Sequence, residues 1–496
     1  MKTSAISRFL TILLAALLVV CFCACDNTPP KSTAKTGNTQ GGNATTNAPP
    51  VSTEKPYLPD SYDDVKDKTY TIWTRDGESG YWAVMDLTAN EILDEPINDA
   101  VYERNNYLTN KYGFTIEQVY SPDTNAKYPD QIEVIRTDVK SGTGAYDAVA
   151  INAAYTGATL SREGLLIDLN TVSTLDLKQD FWNQRYIESM SINNKLHTLV
   201  GDLSVSYWDV AWIQLFNKDL CEEKGIYDSV GDPYEFVNEG KWTLDVMAQM
   251  SAIAAEDVNG DGKMDRNADR FGYAYAPFNH YALFMAGGNV PLEKDADDLP
   301  VYSLYTTRAV ETVEKIKATV FDTSVFTEGY GGPNVTLFNG GQALFVNAQM
   351  MGVRTDHRNA EFDFGVLPTP KIFDDQEEYT NIVSMSTSVW AIPISNDNPD
   401  EIGFVLNSLA YKSGDTLYPA YFDTTFSIVS RDEESEKALA KILKGAYFDL
   451  FLMYDFGGWM ATFMSQMKTL DLASQNDKVS EKCESDIAEL VSAYTG

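Results

Sequence analysis

Read for period alone, the chain becomes regular near residue 70. Tyr70-Thr71-Ile72-Trp73-Thr74 alternates with the two-residue repeat of a strand, and turn formers follow. Pro96 then sits where the first turn of a helix accepts it, Ile97, Val101, Leu108 and Tyr112 share a stripe, and Gly113 ends the segment. Phe114 to Val119 alternates again, a second helical stretch runs from Asp130 to Lys140, and Tyr146 to Ile151 reads as a third strand. Strand–helix–strand–helix–strand at this spacing predicts right-handed crossovers and a parallel sheet. Ligands of such sheets lie beyond the carboxyl ends of the strands. Trp73, Arg75, Asp76, Trp82, Asn152 and Tyr155 are therefore candidate cleft residues, with core or loop packing as the competing role for the two tryptophans.

The N-terminal pattern is different. Lys2 and Arg8 precede an apolar run from Phe9 to Phe22 that is shorter than the roughly 20 residues a spanning helix needs. This is the pattern of an export signal. Cys25 follows Ala24 and leads into a polar run, which is similar to the lipobox of a bacterial lipoprotein, although Phe22 stands where Leu is usual. A plain secretory signal rich in Cys is the alternative. From Asp26 to Asp60 the chain is mostly Thr, Asn, Gly, Pro, Ser and Lys, too poor in apolar side chains to offset its ordering entropy, and reads as a tether.

The chain has 496 residues, enough for two domains, and 44% hydrophobic with 12% aromatic residues, enough for a sizeable core. Against 38 Lys and Arg stand 72 Asp and Glu, a formal charge of −34. Such a surface repels phosphate backbones and anionic headgroups, so nucleic acid is excluded as a partner. Anionic solutes are disfavoured too, unless a local pocket overrides the field. Only 3 His are present, scattered at His197, His280 and His357, and no P-loop, G-x-S-x-G or H-E-x-x-H motif occurs. Beyond the leader, Cys221 and Cys483 are read as two buried thiols, with a disulfide as the alternative.

The sharpest local motif is Asp257-Val258-Asn259-Gly260-Asp261-Gly262-Lys263-Met264-Asp265. Oxygen side chains at Asp257, Asn259, Asp261 and Asp265, the Lys263 carbonyl and Gly262 at the sixth position match the start of a calcium loop. The twelfth position is Ala268, with Asp269 one place later, so the bidentate acid is missing or shifted. A structural Ca2+ is expected here; an acidic turn without metal is the competing reading.

The order of motifs resembles that of family 1 extracellular solute-binding proteins. The lipobox, the tether and the strand with Trp73 come first, and Ser141-Gly142 to Tyr146-Asp147 stands before a strand. Leu165-Leu166-Ile167-Asp168-Leu169, Phe216-Asn217-Lys218 and Gly240-Lys241-Trp242-Thr243 with its acidic loop follow. Phe338-Asn339-Gly340-Gly341-Gln342-Ala343-Leu344-Phe345 and Gly365-Val366-Leu367-Pro368-Thr369-Pro370-Lys371 complete the set. The resemblance implies a two-lobed α/β periplasmic-binding-protein fold, each lobe a mainly parallel sheet flanked by helices, as in maltose-binding protein. On that plan residues 1–24 are the lipoprotein signal peptide, and 25–65 the lipidated cysteine and tether. Residues 66–208 with 388–430 form the first lobe, and 209–387 with 431–496 the second.

What the resemblance implies for function is a non-enzymatic, monomeric receptor on the outer face of a bacterial membrane, delivering a solute to the permease of an ATP-binding-cassette importer. A surface glycan hydrolase or adhesin is the alternative. Trp73, Tyr155, Trp208 and Trp390, together with Tyr207, Trp212 and Tyr275, supply planes on which sugars stack; Asp76, Asn152, Asp209, Asn347 and Arg354 are polar partners. An oligosaccharide is the expected ligand, with a peptide, polyamine or other polar solute as alternatives. Trp208 and Trp390, at the proposed crossovers, are expected nearest the cleft. If Cys25 carries the anchor, Cys25→Ser releases the protein into the medium or leaves its signal uncleaved. Unchanged lipid labelling of that variant moves the anchor to another cysteine.

Overall fold

The computed structural model describes residues 57–75, 84, 86–120, 128–427 and 433–495. Cys25, Asp76 and Trp82 lie outside the described residues. The first sheet is built as the opening pattern predicts. Strand β1 (Thr69–Thr74) pairs in parallel with β2 (Thr115–Tyr120), and on its other side with β3 (Ala148–Asn152). Helix α1 (Pro96–Tyr112) connects β1 to β2, and α2 (Tyr128–Ser141) connects β2 to β3. The start of α1 is fixed by Glu95, whose carboxylate accepts from the Asn98 N–H at 2.6 Å, and by Pro96 in its first turn. Its end is fixed by Gly113 at φ 81°, a left-handed conformation that costs glycine nothing, with the Gly113 N–H on the Thr109 carbonyl.

Strand β4 (Trp212–Asn217) opens the second sheet, joined by β5 (Phe271–Tyr275), then β8 (Phe326–Glu328), β9 (Ala343–Gln349) and β10 (Phe364–Leu367) in the order β10-β4-β9-β5-β8. Between β5 and β8 lies the small hairpin of β6 (Leu292–Lys294) and β7 (Pro300–Tyr302). Helix α3 (Gly331–Asn339) links β8 to β9. After β11 (Asn381–Ile382) the chain returns as β12 (Ser388–Ala391), antiparallel to β3 on the first sheet. The first sheet is mainly parallel, as expected, with β12 on β3 its antiparallel pair, whereas the second is mixed: β4 on β9 and β10 on β4 are antiparallel, β5 on β9 and β8 on β5 parallel. A strand arriving from the other lobe owes nothing to a βαβ crossover and is free to enter in either direction.

The chain passes between the sheets near Asp209, near Ser384, and again between α5 (Leu417–Phe426) and α6 (Glu433–Lys444). Helices α4 (Pro399–Ser413) and α5 pack on α1 of the first lobe; α6 packs on β10 of the second. The first two passages are paired: the Ser384 N–H donates to the Val210 carbonyl at 3.0 Å, and Ala211 bridges Val383. Strand β13 (Ala446–Tyr447) then pairs with β11.

The last helix, α7 (Leu472–Thr495), does not belong to the second lobe alone. It packs on β7 and on the helix Thr307–Val320, but also on Ala158–Arg162 of the first lobe. Asn193 and Lys195 donate to its Tyr494 carbonyl at 3.2 and 2.6 Å, and the His197 ring stacks on Tyr494. Its apolar stripe, with Ile487, Leu490 and Tyr494 buried, needs cover from both sides. Cys221 and Cys483 are both buried and unbridged.

A buried cation orders the first lobe ahead of the first passage. Arg104 of α1 is fully buried and donates to the carbonyls of Leu203 at 2.9 Å, Asp86 at 3.0 Å and Leu87 at 3.0 Å, and to Ser413 Oγ at 3.1 Å. Asp86, also buried, accepts from Ser204 Oγ and the Val205 N–H. Burial pulls the Arg104 pKa down to about 10, with Asp86 acting against it, so the guanidinium stays charged. Helix, approach to the crossover and α4 are thereby joined at one point.

Candidate functional site

At the first passage, three candidate elements converge. Asp209 ends the short helix Ser206–Asp209, Arg354 ends the short helix Met350–Arg354 that follows β9, and Tyr421 lies on α5. The Tyr421 hydroxyl donates to the Asp209 carboxylate at 2.9 Å, and the Arg354 guanidinium donates to the same oxygen. That guanidinium also lies over the Tyr421 ring, 4.9 Å from its centroid. Burial disfavours the Arg354 charge, but Asp209 and Tyr421 outweigh it, and the net pKa is raised. One residue from each lobe thus meets the crossover carboxylate. Asp209 and Arg354 were both picked out in the sequence; Tyr421 was not.

Trp208, the residue before Asp209, is only 3% exposed. Tyr207, Tyr418, Tyr421 and Phe422 surround it, with ring centroids 5.0 to 5.3 Å away. Its planes are occupied by protein, so the expectation of a sugar-stacking face at Trp208 is corrected. The accessible ring of this cluster is Tyr418, 39% exposed.

Trp73 and Trp390 are corrected in the same sense, at 1% and 2% exposure. Trp73 stands opposite Val149 and Trp390 opposite Ala150. Neighbouring residues of β3 point to opposite faces, so the two indoles lie on opposite sides of the first sheet and cannot line one cleft. Asn152, fully buried at the carboxyl end of β3, accepts the Tyr155 N–H on Oδ1 at 2.8 Å, and its Nδ2 has no partner. Tyr155 itself is half exposed. Arg75, buried, donates to the Ser386 carbonyl at 2.6 Å and ties the end of β1 to the second passage.

Asn347 belongs to a different group. On the antiparallel pair β4–β9, Trp212 stands opposite Gln349 and Gln214 opposite Asn347, so all four side chains leave one face of the second sheet. Trp212 Nε1, Asn347 Nδ2 and Gln349 Nε2 are buried without a partner, while the buried Gln214 amide lies against the Tyr273 hydroxyl. Each such group costs about 1–3 kcal/mol unless something fills its valence. Trp212, Asn347 and Gln349 line a cavity of about 120 Å3 with Gly331, Asp356 and His357. A larger space of about 850 Å3 lies between α1, α5 and Arg354, rimmed by Glu103, Asp415 and Asp423. Trp212 stood among the candidate aromatics, but Gln214 and Gln349 were missed. The available signal was Trp212-x-Gln214 and Asn347-x-Gln349, polar side chains at strand spacing inside otherwise apolar runs.

The acidic loop closes on itself. Asp257 accepts from the N–H groups of Gly260 and Gly262, Asn259 from Asp261, Asp261 from Lys263, and Asp265 from Asn267. Asp269, fully buried, accepts from Val258 and Asp265. Among the described residues no group of three or more His, Cys, Asp or Glu side chains is arranged to hold a metal ion.

No family model and no curated protein sequence matches the chain. Solved structures do. An ABC substrate-binding protein from Listeria monocytogenes in complex with cycloalternan aligns with a TM-score of 0.51 at 14% identity, over 84% of this chain and 98% of that one. UgpB from Mycobacterium tuberculosis in complex with glycerophosphocholine aligns at 0.53 and 12%, over 85% and 99%. A cyclo/maltodextrin-binding protein complexed with maltotetraose aligns at 0.52 and 14%, over 86% and 97%. At these identities the likeness defines the fold: a bilobed α/β architecture of the periplasmic-binding-protein kind, with mixed sheets flanked by helices.

The crossover cluster has a measurable strength. Asp209→Ala is expected to lower the unfolding free energy by about 2 kcal/mol, less than for a fully buried pair because Arg354 keeps some solvent access. Tyr421→Phe is expected to cost about 1 kcal/mol, and the double variant less than the sum by a similar amount. Strict additivity in urea unfolding would show that hydroxyl and carboxylate do not interact.

Proposed function

We propose that the chain is a non-enzymatic extracellular receptor of the family 1 solute-binding type, delivering an oligosaccharide to the permease of an ATP-binding-cassette importer. The observation that carries this reading is the set of buried, unpartnered polar side chains on β4 and β9. The set lies where β9 ends, beside the paired passages between lobes. Ligands of open α/β sheets bind beyond strand carboxyl ends, and polar groups buried without partners mark a place for a polar occupant. The similar structures add support, since their bound partners are cycloalternan, maltotetraose and glycerophosphocholine, all polar. A solute touching both lobes binds the closed form better than the open one and so draws the hinge shut. The reading includes a lipid anchor at Cys25 and a monomeric body.

In a calorimeter, the chain lacking its leader is expected to bind a neutral or cationic polar solute, an oligosaccharide above all, saturably, with no new reducing ends formed. Ligand at 100 times its dissociation constant adds about 2.7 kcal/mol of stability, visible as a raised melting temperature. Steady release of shorter sugars would sink the receptor reading in favour of a hydrolase.

Calcium at the Asp257–Asp265 loop stands as a proposal supported by residue spacing alone. If it binds, a chelator lowers the melting temperature of wild type but not of Asp261→Ala. Identical melting curves with and without chelator leave an acidic turn.

A further inference from the structure

The two lobes also meet at a place apart from the passages. Ile192–Lys195 of the first lobe is a two-residue hairpin turn. The Ile192 N–H donates to the Lys195 carbonyl and the Lys195 N–H to the Ile192 carbonyl, each at 3.0 Å, with Asn193 and Asn194 at φ 53° and 56°. Asparagine tolerates that left-handed pair, and the turn it makes is stiff. The N–H groups at its tip are taken by Asp298, in the turn between β6 and β7 of the second lobe. Asn193 N–H lies on the Asp298 carbonyl at 3.0 Å and Asn194 N–H on its carboxylate at 2.9 Å. Ser191 Oγ and Lys294 Nζ reach the other carboxylate oxygen at 3.1 and 2.8 Å, and Lys294 also donates to the Ser191 carbonyl. The last turn of α7 holds the same hairpin turn through the Asn193 and Lys195 side chains on the Tyr494 carbonyl.

This contact and the polar wall of the second sheet lie on opposite sides of the hinge. The two passages are the inner members of a four-segment ribbon. The Val383 N–H donates to the Tyr447 carbonyl at 3.0 Å, Ala211 bridges Val383, and the Met350 N–H donates to the Ala211 carbonyl at 3.0 Å. Tyr447 is thus at one edge and Met350 at the other. Trp212 and Gln349 adjoin the Met350 edge, as does the space of about 850 Å3 that separates Arg354 and Arg358 of the second lobe from Glu103 and Asp423 of the first. Beyond the Tyr447 edge lies a second gap of about 600 Å3, lined by Ser189, Lys294, Tyr447 and Asp449, with the Asp298 contact on its far side. Parts carried on opposite sides of a hinge move in opposite senses, so a rotation that narrows the first space draws Asp298 away from Asn193 and Asn194. We propose that Asp298 and the Ile192–Lys195 turn form a latch that holds the lobes apart on the ligand side. Closure then requires a solute whose preference for the closed form outweighs the latch. The latch takes its purpose from the receptor reading and sets the affinity of that site without touching the solute.

The test reads lobe spacing with no solute present. Spin labels on Glu103→Cys and Arg358→Cys, both exposed and on opposite walls of the larger space, report the spacing by pulsed electron resonance, while Cys221 and Cys483 stay buried. The labelled chain is expected to show one main distance. Asp298→Gly suits the φ of 61° and removes the carboxylate; it is expected to raise a shorter-distance population at least about tenfold, from the roughly 0.1–10% typical of a minor state. Lys195→Met keeps the stem but removes the donor to Tyr494, and is expected to shift the distances the same way by less. Unchanged distances in both folded variants, or a shift to longer ones, overturns the latch. Where maltotetraose binds the labelled chain, Asp298→Gly is expected to bind it about tenfold more tightly, and equal affinity overturns the latch too. A chain that binds no oligosaccharide loses the receptor reading, while the spacing still decides the latch.

Discussion

The paired passages between the lobes are the constraint on which the rest depends. Val210 and Ser384 share a backbone hydrogen bond, Ala211 bridges Val383, and the Met350 N–H donates to the Ala211 carbonyl. Chain segments about 170 residues apart are thereby locked in one register, and the ends of β3, β4, β9 and β12 are brought to a common place. Asp209, Arg354 and Tyr421 gather around the same point. A hinge made of two hydrogen-bonded strands bends as a unit, so the lobes are able to rotate without losing the register of either sheet.

Polar cost and function are coupled in the second sheet. Phe216, Phe345 and Tyr273 share a face with Trp212, Gln214, Asn347 and Gln349, so the face runs from an apolar interior to a polar end. The apolar part is sealed, for example by Trp242 against Phe345. The polar part keeps buried donors without partners, Trp212 Nε1, Asn347 Nδ2 and Gln349 Nε2, a costly arrangement for a fold with no use for it. The first lobe shows the opposite solution: Arg104 and Asp86 are as deeply buried, yet their hydrogen-bonding atoms reach carbonyls, hydroxyls and an N–H. Satisfied burial there holds structure; unsatisfied burial at β4 and β9 leaves valences for a ligand.

The opening βαβαβ unit was legible because its signals are local. Alternation over Tyr70–Thr74 and Phe114–Val119, Pro96 at the helix start and Gly113 at its end each act within a few residues, and the structure places β1, α1 and β2 accordingly. Asp209 and Arg354 were legible as polar residues at a crossover and after a strand. Tyr421 was not, because its partner Asp209 lies 212 positions away and no local pattern records that separation. The direction of β12, and the reach of α7 into the first lobe, were hidden for the same reason.

Two things therefore separate cleanly. Sequence alone determined the strands and helices of the opening unit and the −34 charge, which disfavours nucleic acid, since these follow from residue type and short-range period. Only the tertiary structure decided which aromatic residues are core and which polar ones are exposed to a cavity. Period fixes that Trp73 and Trp390 occupy strand positions, but not which face each takes or what covers it; pairing across β3 put them on opposite faces and buried both. The same pairing set Trp212 against Gln349 and Gln214 against Asn347, and so turned two scattered alternations into one polar wall.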